Sequence, residues 1–289
     1  MTIASFLARG DTSANESVYI GGRLEGHALL VPMLSSNRSA TVDQIRIGQT
    51  IARASGGDIT VVDPTAADDD PLVTFDDDDD PVEWITDYLE TGTPVPDGVF
   101  HARGAESRIR ELIEGRRFDT LVLPKSSDMG LHLRRRVRKL GENAPCNVIA
   151  VNGDTGYRSF ASILLPIATG PHSGLATDVA GGIAAEIGAY VDILHVIPTE
   201  ADADRRQQAV ECTETAAERI DLPDRANTWI LEGDDPAQAI IEQSSYYGMT
   251  VIGAPTAGRL HRFVYGSTSQ SIRHGANSLV VAVRTPDVL

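Results

Sequence analysis

The sequence predicts an α/β protein made of two tandem, doubly wound, five-stranded parallel sheets with strand order 3-2-1-4-5, arranged as a pseudo-twofold pair. Three observations predict this fold. The chain has 289 residues, enough for two domains of ordinary size, and a segment of its first half recurs in its second half. In both copies, short continuous apolar runs alternate with helical stretches, which is typical of a parallel sheet covered on both faces.

The repeat pairs residues 27–65 with residues 161–199 without a gap, so that Pro32 meets Pro166. Each copy begins with an apolar run that ends at this proline (ALLVP, SILLP), because proline cannot continue a central strand ladder. A loop rich in Ser, Gly and Thr follows, then a helical stretch, then a second apolar run (DITVVDP, DILHVIP). Strand, helix and strand at this spacing form a βαβ unit.

The later elements of the two halves also correspond. GVFHARG and NTWILEG are predicted third strands, and AESRIRELIEGRRF and DPAQAIIEQSSYYG are amphipathic helices; a further helix of the second half lies near Arg205–Ile220. TLVLP and MTVIG are the fourth strands, and NVIAV and LVVAV the fifth. We expect domains over residues 27–152 and 158–289, while residues 1–26 form an N-terminal extension without an assigned role.

The net charge of −16 excludes the basic surface that a nucleic-acid partner would favour. Lysine occurs only at Lys125 and Lys139, whereas aspartate is abundant, and such a surface suits a cytoplasm in which salt screens the repulsion. We therefore expect a halophilic source. No apolar run reaches the length of a membrane span, and the N-terminus lacks signal-peptide architecture, which predicts a cytoplasmic protein without direct membrane insertion.

Three features invite a chemical role, and each has a structural interpretation that we prefer. Cys146 and Cys212 have no CxxC or histidine companion, which indicates buried free thiols. The run Asp76–Asp80 lacks the ligand spacing of a calcium loop, so we interpret it as a solvated loop. His195 ends a strand without an identifiable carboxylate partner, so we expect a packed histidine, no catalytic residue and no metal site.

A candidate ligand site follows the fourth strand of the second half. In a doubly wound sheet, ligands bind beyond the carboxyl ends of the strands where the winding direction switches, here between the first and fourth strands. The segment after the fourth strand begins at Gly253 and reaches Gly266, Ser267 and Thr268 at the start of a predicted helix. Glycines allow the backbone to approach an oxyanion, and a helix N-terminus supplies N–H donors, although a capped turn without a ligand fits the same residues.

This segment resembles the phosphate-binding loop of the universal stress protein family, written G-x2-G-x9-G-[ST]. Gly253, Gly266 and Ser267 match at the required spacing, while Thr256 replaces the second glycine and Ala168 replaces an aspartate that ends the family's first strand. The resemblance implies the adenine nucleotide α-hydrolase-like fold, with ATP or another adenine nucleotide as the cofactor. The residues that it implies for binding are Pro166, Ile167, Ala168, Val196, Gly253, Ala254, Thr256, Gly266, Ser267 and Thr268.

The first half departs further from this pattern, because its fourth strand leads into PKSSDMGLHLRRRVRKLGEN, without Gly-Ser-Thr. We expect no nucleotide site there. The basic cluster Arg134–Lys139 can be interpreted as an anion site or as a solvated helix face that balances the acidic surface, and we prefer the second.

Two functions are consistent with these residues. The first is a regulatory module that binds an adenine nucleotide in its C-terminal domain; slow ATP hydrolysis would need a positioned water, for which no residue is evident, so we expect no enzyme. The alternative is an interaction protein without a nucleotide, such as a partner of a membrane amino-acid transporter, since PIATGPHS is similar to stress-protein domains associated with archaeal transporters. In this family fifth strands pair across a twofold axis, so we expect NVIAV to pair with LVVAV within the chain, and further association into a homo-oligomer.

Overall fold

The computed structural model describes residues 24, 26–34, 37–62, 72–75, 105–116, 118–125, 131–153, 160–255 and 278–286. Within these ranges the chain alternates strands and helices in both halves. The strands and helices of the first half are β1 (Leu29–Pro32), α1 (Arg38–Ser55), β2 (Ile59–Val62), β3 (Leu72–Phe75), α2 (Ala105–Arg116), β4 (Thr120–Lys125), α3 (Leu131–Glu142) and β5 (Asn147–Asn152). Those of the second half are β6 (Ser162–Pro166), α4 (Ser173–Ile187), β7 (Tyr190–Ile197), α5 (Ala203–Ile220), β8 (Ala226–Glu232), α6 (Pro236–Ser244), β9 (Met249–Gly253) and β10 (Leu279–Arg284).

All these strands form one ten-stranded sheet with the order β3-β2-β1-β4-β5-β10-β9-β6-β7-β8. Each half contributes five neighbouring strands in the order 3-2-1-4-5, so the predicted doubly wound fold and its duplication are confirmed. Nearly every predicted element is present, including helix α5 close to the predicted span Arg205–Ile220.

The two halves join through their fifth strands, as predicted. β5 and β10 pair antiparallel, and Ala150 lies opposite Ala282. The parallel pairing within each half shows that these two alanines are equivalent, because Leu123 of β4 pairs with Ala150 and Ile252, at the same place on β9, pairs with Ala282. Two equivalent residues can lie directly opposite each other only on the axis that relates the halves. The Ala150–Ala282 pair therefore lies on the pseudo-twofold axis.

The third strand of the first half differs from the prediction. β3 runs antiparallel to β2, with Val61 opposite Val73, and it takes the edge position that was predicted for a parallel strand GVFHARG. Only residues 63–71 separate the two strands, which is too short for the crossover of a dozen or more residues that a parallel neighbour requires. The predicted strand at residues 98–104 and the run Asp76–Asp80 lie outside the described residues.

The gapless alignment of the two copies is also wrong, because it slips between the first and second strands. Leu29 pairs with Ile59 in the first half, and Ile163 pairs with Val191 in the second, so Ile59 corresponds to Val191 and not to Ile193. The extra residues lie between the two strands of the first copy, where α1 has 18 residues and α4 has 15. The alignment missed the shift because moving a strand by an even number of positions keeps every side chain on its own face.

The two faces of the sheet are covered differently. On one face, α1 and α4 pack against each other and share a core that includes Ile51 of the first half and Ile183 of the second. On the other face, the apolar residues form two separate clusters, one containing Ile113 and Leu140 and the other containing Ile240. On the first face, the shared core therefore binds the two halves together. On the second face, the described apolar residues form two separate clusters.

Candidate functional site

In both halves the first and fourth strands separate at the point where a ligand site was predicted. β6 and β9 pair only through Ile163–Met249 and Leu164–Thr250, and then diverge toward their carboxyl ends. β1 and β4 also pair over two positions, ending at Leu30. Each half thus has a crevice at its switch point, and the residues around the two crevices decide what each can bind.

In the first half, the side chain of Gln44 bridges the crevice. The fully buried Gln44 donates hydrogen bonds from Nε2 to the carbonyl of Pro32 on β1, at 3.0 Å, and to the carbonyl of Val122 on β4, at 2.9 Å. Both strand ends are therefore tied to a helix side chain. A ligand could enter here only by displacing this amide and leaving two buried carbonyls without their donor.

The second half has a methyl group where the first has this amide. Helices α1 and α4 both end at a left-handed glycine cap, Gly56 and Gly188, which gives a common reference point. Counted back from these caps, Gln44 and Ala176 occupy the same position of their helices. Ala176 is fully buried and has no polar side-chain atom, so it cannot tie β6 to β9.

The ends of the fourth strands also differ, and again the first half has the larger residue. Gly253 ends β9, and the register of the two sheets places Pro124 at the equivalent position of β4. A Cβ on Gly253 would lie 3.1 Å from Cβ of His172, so the absence of a side chain allows the loop before α4 to approach β9 closely. In the first half, the ring of Pro124 occupies that place.

The loop after β6 is fixed by its own hydrogen bonds. The hydroxyl of Ser173 donates to the carbonyl of Ala168, and the N–H of Thr285 donates to Nδ1 of His172 at 3.2 Å. Nδ1 of His172 is therefore an acceptor, and the loop is attached to the chain just after β10. Ala168 is exposed at the tip of this loop, where the family pattern has an aspartate.

The structure brings several predicted site residues to this crevice. Pro166 ends β6, and Val196 lies beyond it on β7, because Pro166 pairs with Leu194. The N–H groups of Ile167 and Ala254 donate to the carbonyls of Leu194 and Val283, so these two amides are used within the sheet. The remaining predicted residues, Thr256, Gly266, Ser267 and Thr268, lie outside the described residues.

The other candidates from the sequence are packed in the interior. Both cysteines are buried thiols, as predicted, and burial, followed by the charge of Asp119, raises the pKa of the Cys146 thiol to about 11. Burial also lowers the pKa of His195, whose Nδ1 has no hydrogen-bond partner in the described structure. An inert thiol and a desolvated imidazole are poor candidates for catalysis.

Gln44 is the residue that sequence reasoning missed. It lies in a helix whose apolar pattern assigns polar residues to the outer face, yet both Asp43 and Gln44 are fully buried. The available signal was a comparison of the two helices counted back from their glycine caps, which sets Gln44 against Ala176. If residues are counted from the first strand instead, as in the gapless alignment, Gln44 falls opposite Asp178. The contrast between an amide in the first half and a methyl group in the second is then not seen.

Two doubly wound halves joined through their fifth strands, each with a crevice at its switch point, define the adenine nucleotide α-hydrolase-like fold. The family model described as the universal stress protein family matches residues 159–284, so the C-terminal half is a universal stress protein domain. The resemblance stated from the loop sequence is thereby confirmed. No curated protein matches the chain.

Solved structures extend the likeness to the whole chain. A universal stress protein from Archaeoglobus fulgidus DSM 4304 is 15% identical, and the match covers 92% of this chain and 98% of that chain with a TM-score of 0.50. The cytoplasmic domain of a prokaryotic cation chloride cotransporter is 13% identical, with 90% and 96% covered and a TM-score of 0.54. A universal stress protein from Archaeoglobus fulgidus in complex with dAMP matches over 43% of this chain and 98% of that chain, at 19% identity and a TM-score of 0.34.

The first two of these likenesses, which cover 90% or more of this chain, establish the fold. In the described part of the chain, no helix combines the length and apolar character needed to cross a membrane.

Proposed function

We propose that the C-terminal half binds ATP or another adenine nucleotide at the carboxyl ends of β6 and β9, and that the protein acts as a regulatory module whose association or shape depends on this nucleotide. The observation that carries the proposal is the contrast between the two crevices. The half that contains the family's loop pattern has Ala176 and Gly253, whereas the half without the pattern has Gln44 and Pro124.

The phosphates would bind the segment that begins at Gly253. Gly266 and Ser267 keep the spacing at which the family's loop offers backbone N–H groups and a hydroxyl to phosphate, at the start of a predicted helix. Ala168 supplies no carboxylate at the tip of the loop after β6, so contact with the ribose falls to backbone groups there. We therefore expect weaker binding than in a protein that has an acidic residue at this place.

Closing the second crevice tests the proposal. Ala176→Gln introduces the side chain that bridges the first crevice, and we expect it to abolish the heat of ATP binding in titration calorimetry at high salt. Ser267→Ala removes only a hydroxyl and should weaken ATP binding by about tenfold, the effect of losing one hydrogen bond to a charged group. The second variant keeps the test valid if the buried glutamine prevents folding.

The matched control lies in the first half. Gln44→Ala removes the bridging amide there, and it should lower the stability of the chain while leaving ATP binding by the second half unchanged. If the unaltered protein gives no heat with ATP, ADP or AMP up to millimolar concentration, the nucleotide proposal fails. If Ser267→Ala binds as the unaltered protein does, the phosphates are not held by this loop.

We propose a second candidate function, partnership with a membrane transporter. The support is the fold likeness to the cytoplasmic domain of a prokaryotic cation chloride cotransporter over 90% of this chain. Affinity capture from membranes of the organism that encodes the chain, followed by mass spectrometry, should then recover one transporter in stoichiometric amount. Recovery of the chain from the cytosol alone, without such a partner, would reject this candidate.

A further inference from the structure

On the face of the β5–β10 seam that carries α3, the described residues line a groove with a volume of about 570 Å³ between the two halves. Its floor includes Ala150 and Ala282, the pair on the pseudo-twofold axis. One wall is the side of α3, and part of the opposite rim is formed by Ala254 and Pro255 of the second half. We call this space the seam groove.

The charge of the seam groove is opposite to that of the protein. Among the described residues that line it are five basic side chains and one carboxylate, in a chain whose net charge is −16. The carboxylate is that of Glu142, which pairs with Arg138 at 3.4 Å. The basic residues come from three elements: Lys125 ends β4, Arg284 ends β10, and the remaining three, Arg134, Arg135 and Arg138, lie on α3.

Lys125 lies where its charged form is disfavoured, and Arg284 is held in a fixed position. Burial, and then the neighbouring charge of Arg134, lowers the pKa of Lys125 from its ordinary value of 10.5 to about 7. Nη1 of Arg284 donates to the carbonyl of Gly141 at 3.0 Å, which fixes its guanidinium at the end of α3. Placing like charges around a concave, partly dehydrated space costs free energy, which an anion in that space would offset.

The spacing of the cations indicates the size of that anion. Lys125 pairs with Asn152 at one end of β5, whereas Arg284 pairs with Val148 near the other end of the same strand. At about 3.3 Å per residue, the two positions are about 13 Å apart along the strand. A chain of phosphoryl groups matches cations that start from backbone positions this far apart better than a single phosphate does.

We propose that the seam groove is an anion-binding site for a compound that carries two or more linked phosphoryl groups, recognised by Lys125, Arg284 and the arginines of α3. Guanidinium groups suit this role because they form paired hydrogen bonds with phosphate oxygens. The groove's cations belong to the first half and the seam, and it shares only its rim, at Ala254, with the proposed nucleotide site. It does not depend on nucleotide binding by the second half.

The direct test uses inorganic tripolyphosphate as the probe, at the lowest salt at which the chain stays folded. We expect the double variant R134Q/R138Q to bind tripolyphosphate at least about tenfold more weakly than the unaltered protein, because two charge-assisted contacts are lost. Arg136→Gln is the matched control: Arg136 lies on the same helix, is exposed and does not line the groove. It should leave the affinity within about twofold, since a distant surface charge is screened.

The two lysines of the chain provide a second readout. After reductive methylation with ¹³C-formaldehyde, NMR should resolve Lys125 and Lys139, and Lys139→Arg assigns the signals. Tripolyphosphate should raise the pKa of Lys125, because a bound anion favours the ammonium form. The control Arg136→Gln should show the same rise.

The outcomes separate this proposal from the nucleotide proposal. Tripolyphosphate binding that survives in Ser267→Ala and falls in R134Q/R138Q supports the seam groove, whatever happens to ATP. Binding that falls in Ser267→Ala and survives in R134Q/R138Q places the anion at the second half's loop and overturns the proposal. It is also overturned if tripolyphosphate gives no heat and leaves the Lys125 signal unmoved, or if R136Q loses as much affinity as R134Q/R138Q.

Discussion

A single ion pair fixes helix α5 against helix α4 in the second half. Arg219 contacts Asp178 through Nε–Oδ1 at 2.5 Å and Nη2–Oδ2 at 2.7 Å, and these side chains are only 14% and 9% exposed. A paired geometry with this little solvent holds both charges in place. The contribution of the pair to stability is seen when one residue is removed, because the other then loses its buried counter-charge.

We expect Asp178→Ala to lower the free energy of unfolding by about 3 kcal/mol, since Arg219 would lose its buried counter-charge. Chemical denaturation followed by circular dichroism measures this change. Replacing both residues, in D178L/R219M, should recover most of the lost stability. A double variant as unstable as Asp178→Ala would mean that the loss comes from packing and not from the unpaired charge.

At the residue scale, sequence reasoning found the glycine and serine pattern but not the contrast between Gln44 and Ala176. The loop pattern is local, so spacing alone reveals it. The bridging amide depends on which helix position faces the gap between two strands, and the ungapped alignment placed the helices out of step. A correct assignment required the caps Gly56 and Gly188 as reference points.

At the scale of elements, the contact between α1 and α4 joins the two halves on the face of the sheet that these helices cover. Gly182 allows it, because a Cβ there would lie 3.2 Å from Cβ of Ala54. Small residues at the crossing let the helix backbones approach and bring the apolar residues of both halves into one core.

We therefore expect Gly182→Leu to lower the free energy of unfolding by about 2 kcal/mol through overpacking at this crossing. Thermal and urea unfolding measure the change. The control is Gly115→Leu in α2, where an added Cβ meets no atom within 4 Å. Equal losses in both variants would show that helix crowding at Gly182 is not the cause.

The strands and helices were more predictable from sequence than the connections between them. Continuous apolar runs such as TLVLP and LVVAV predicted buried strands, and both form central strands, β4 and β10. β3 was missed because a short apolar run inside an aspartate-rich stretch looks like a loop, and its direction follows from the short connection to β2. Edge strands carry the weakest sequence pattern, since only one neighbour and little burial constrain them.

At the scale of the whole molecule, the excess of acidic residues dominates the electrostatics. The chain has 41 Asp and Glu residues against 25 Lys and Arg residues. At low ionic strength these charges repel one another over a longer range, which destabilises the compact state. The basic seam groove makes the charge distribution uneven, since several of the few cations line one space.

We expect the folded fraction to fall as potassium chloride is reduced from molar to near-zero concentration, as in proteins adapted to salt. Tryptophan fluorescence and circular dichroism at a series of salt concentrations follow this transition. Sucrose at matched viscosity serves as a control for effects that do not involve ions. Full stability in dilute buffer would contradict the predicted halophilic source.

The axis between Ala150 and Ala282 has a consequence for how such a chain can evolve. Had the two halves been separate, identical subunits, any pocket on the axis would have had matching walls, and a mutation on one wall would have appeared on both. Fusion into one polypeptide removes this constraint, so Lys125 can face the seam from one half while Ala254, its counterpart in register, stays small. A ligand held on that axis would bind once per polypeptide and in one orientation, and it would contact different residues in the two halves.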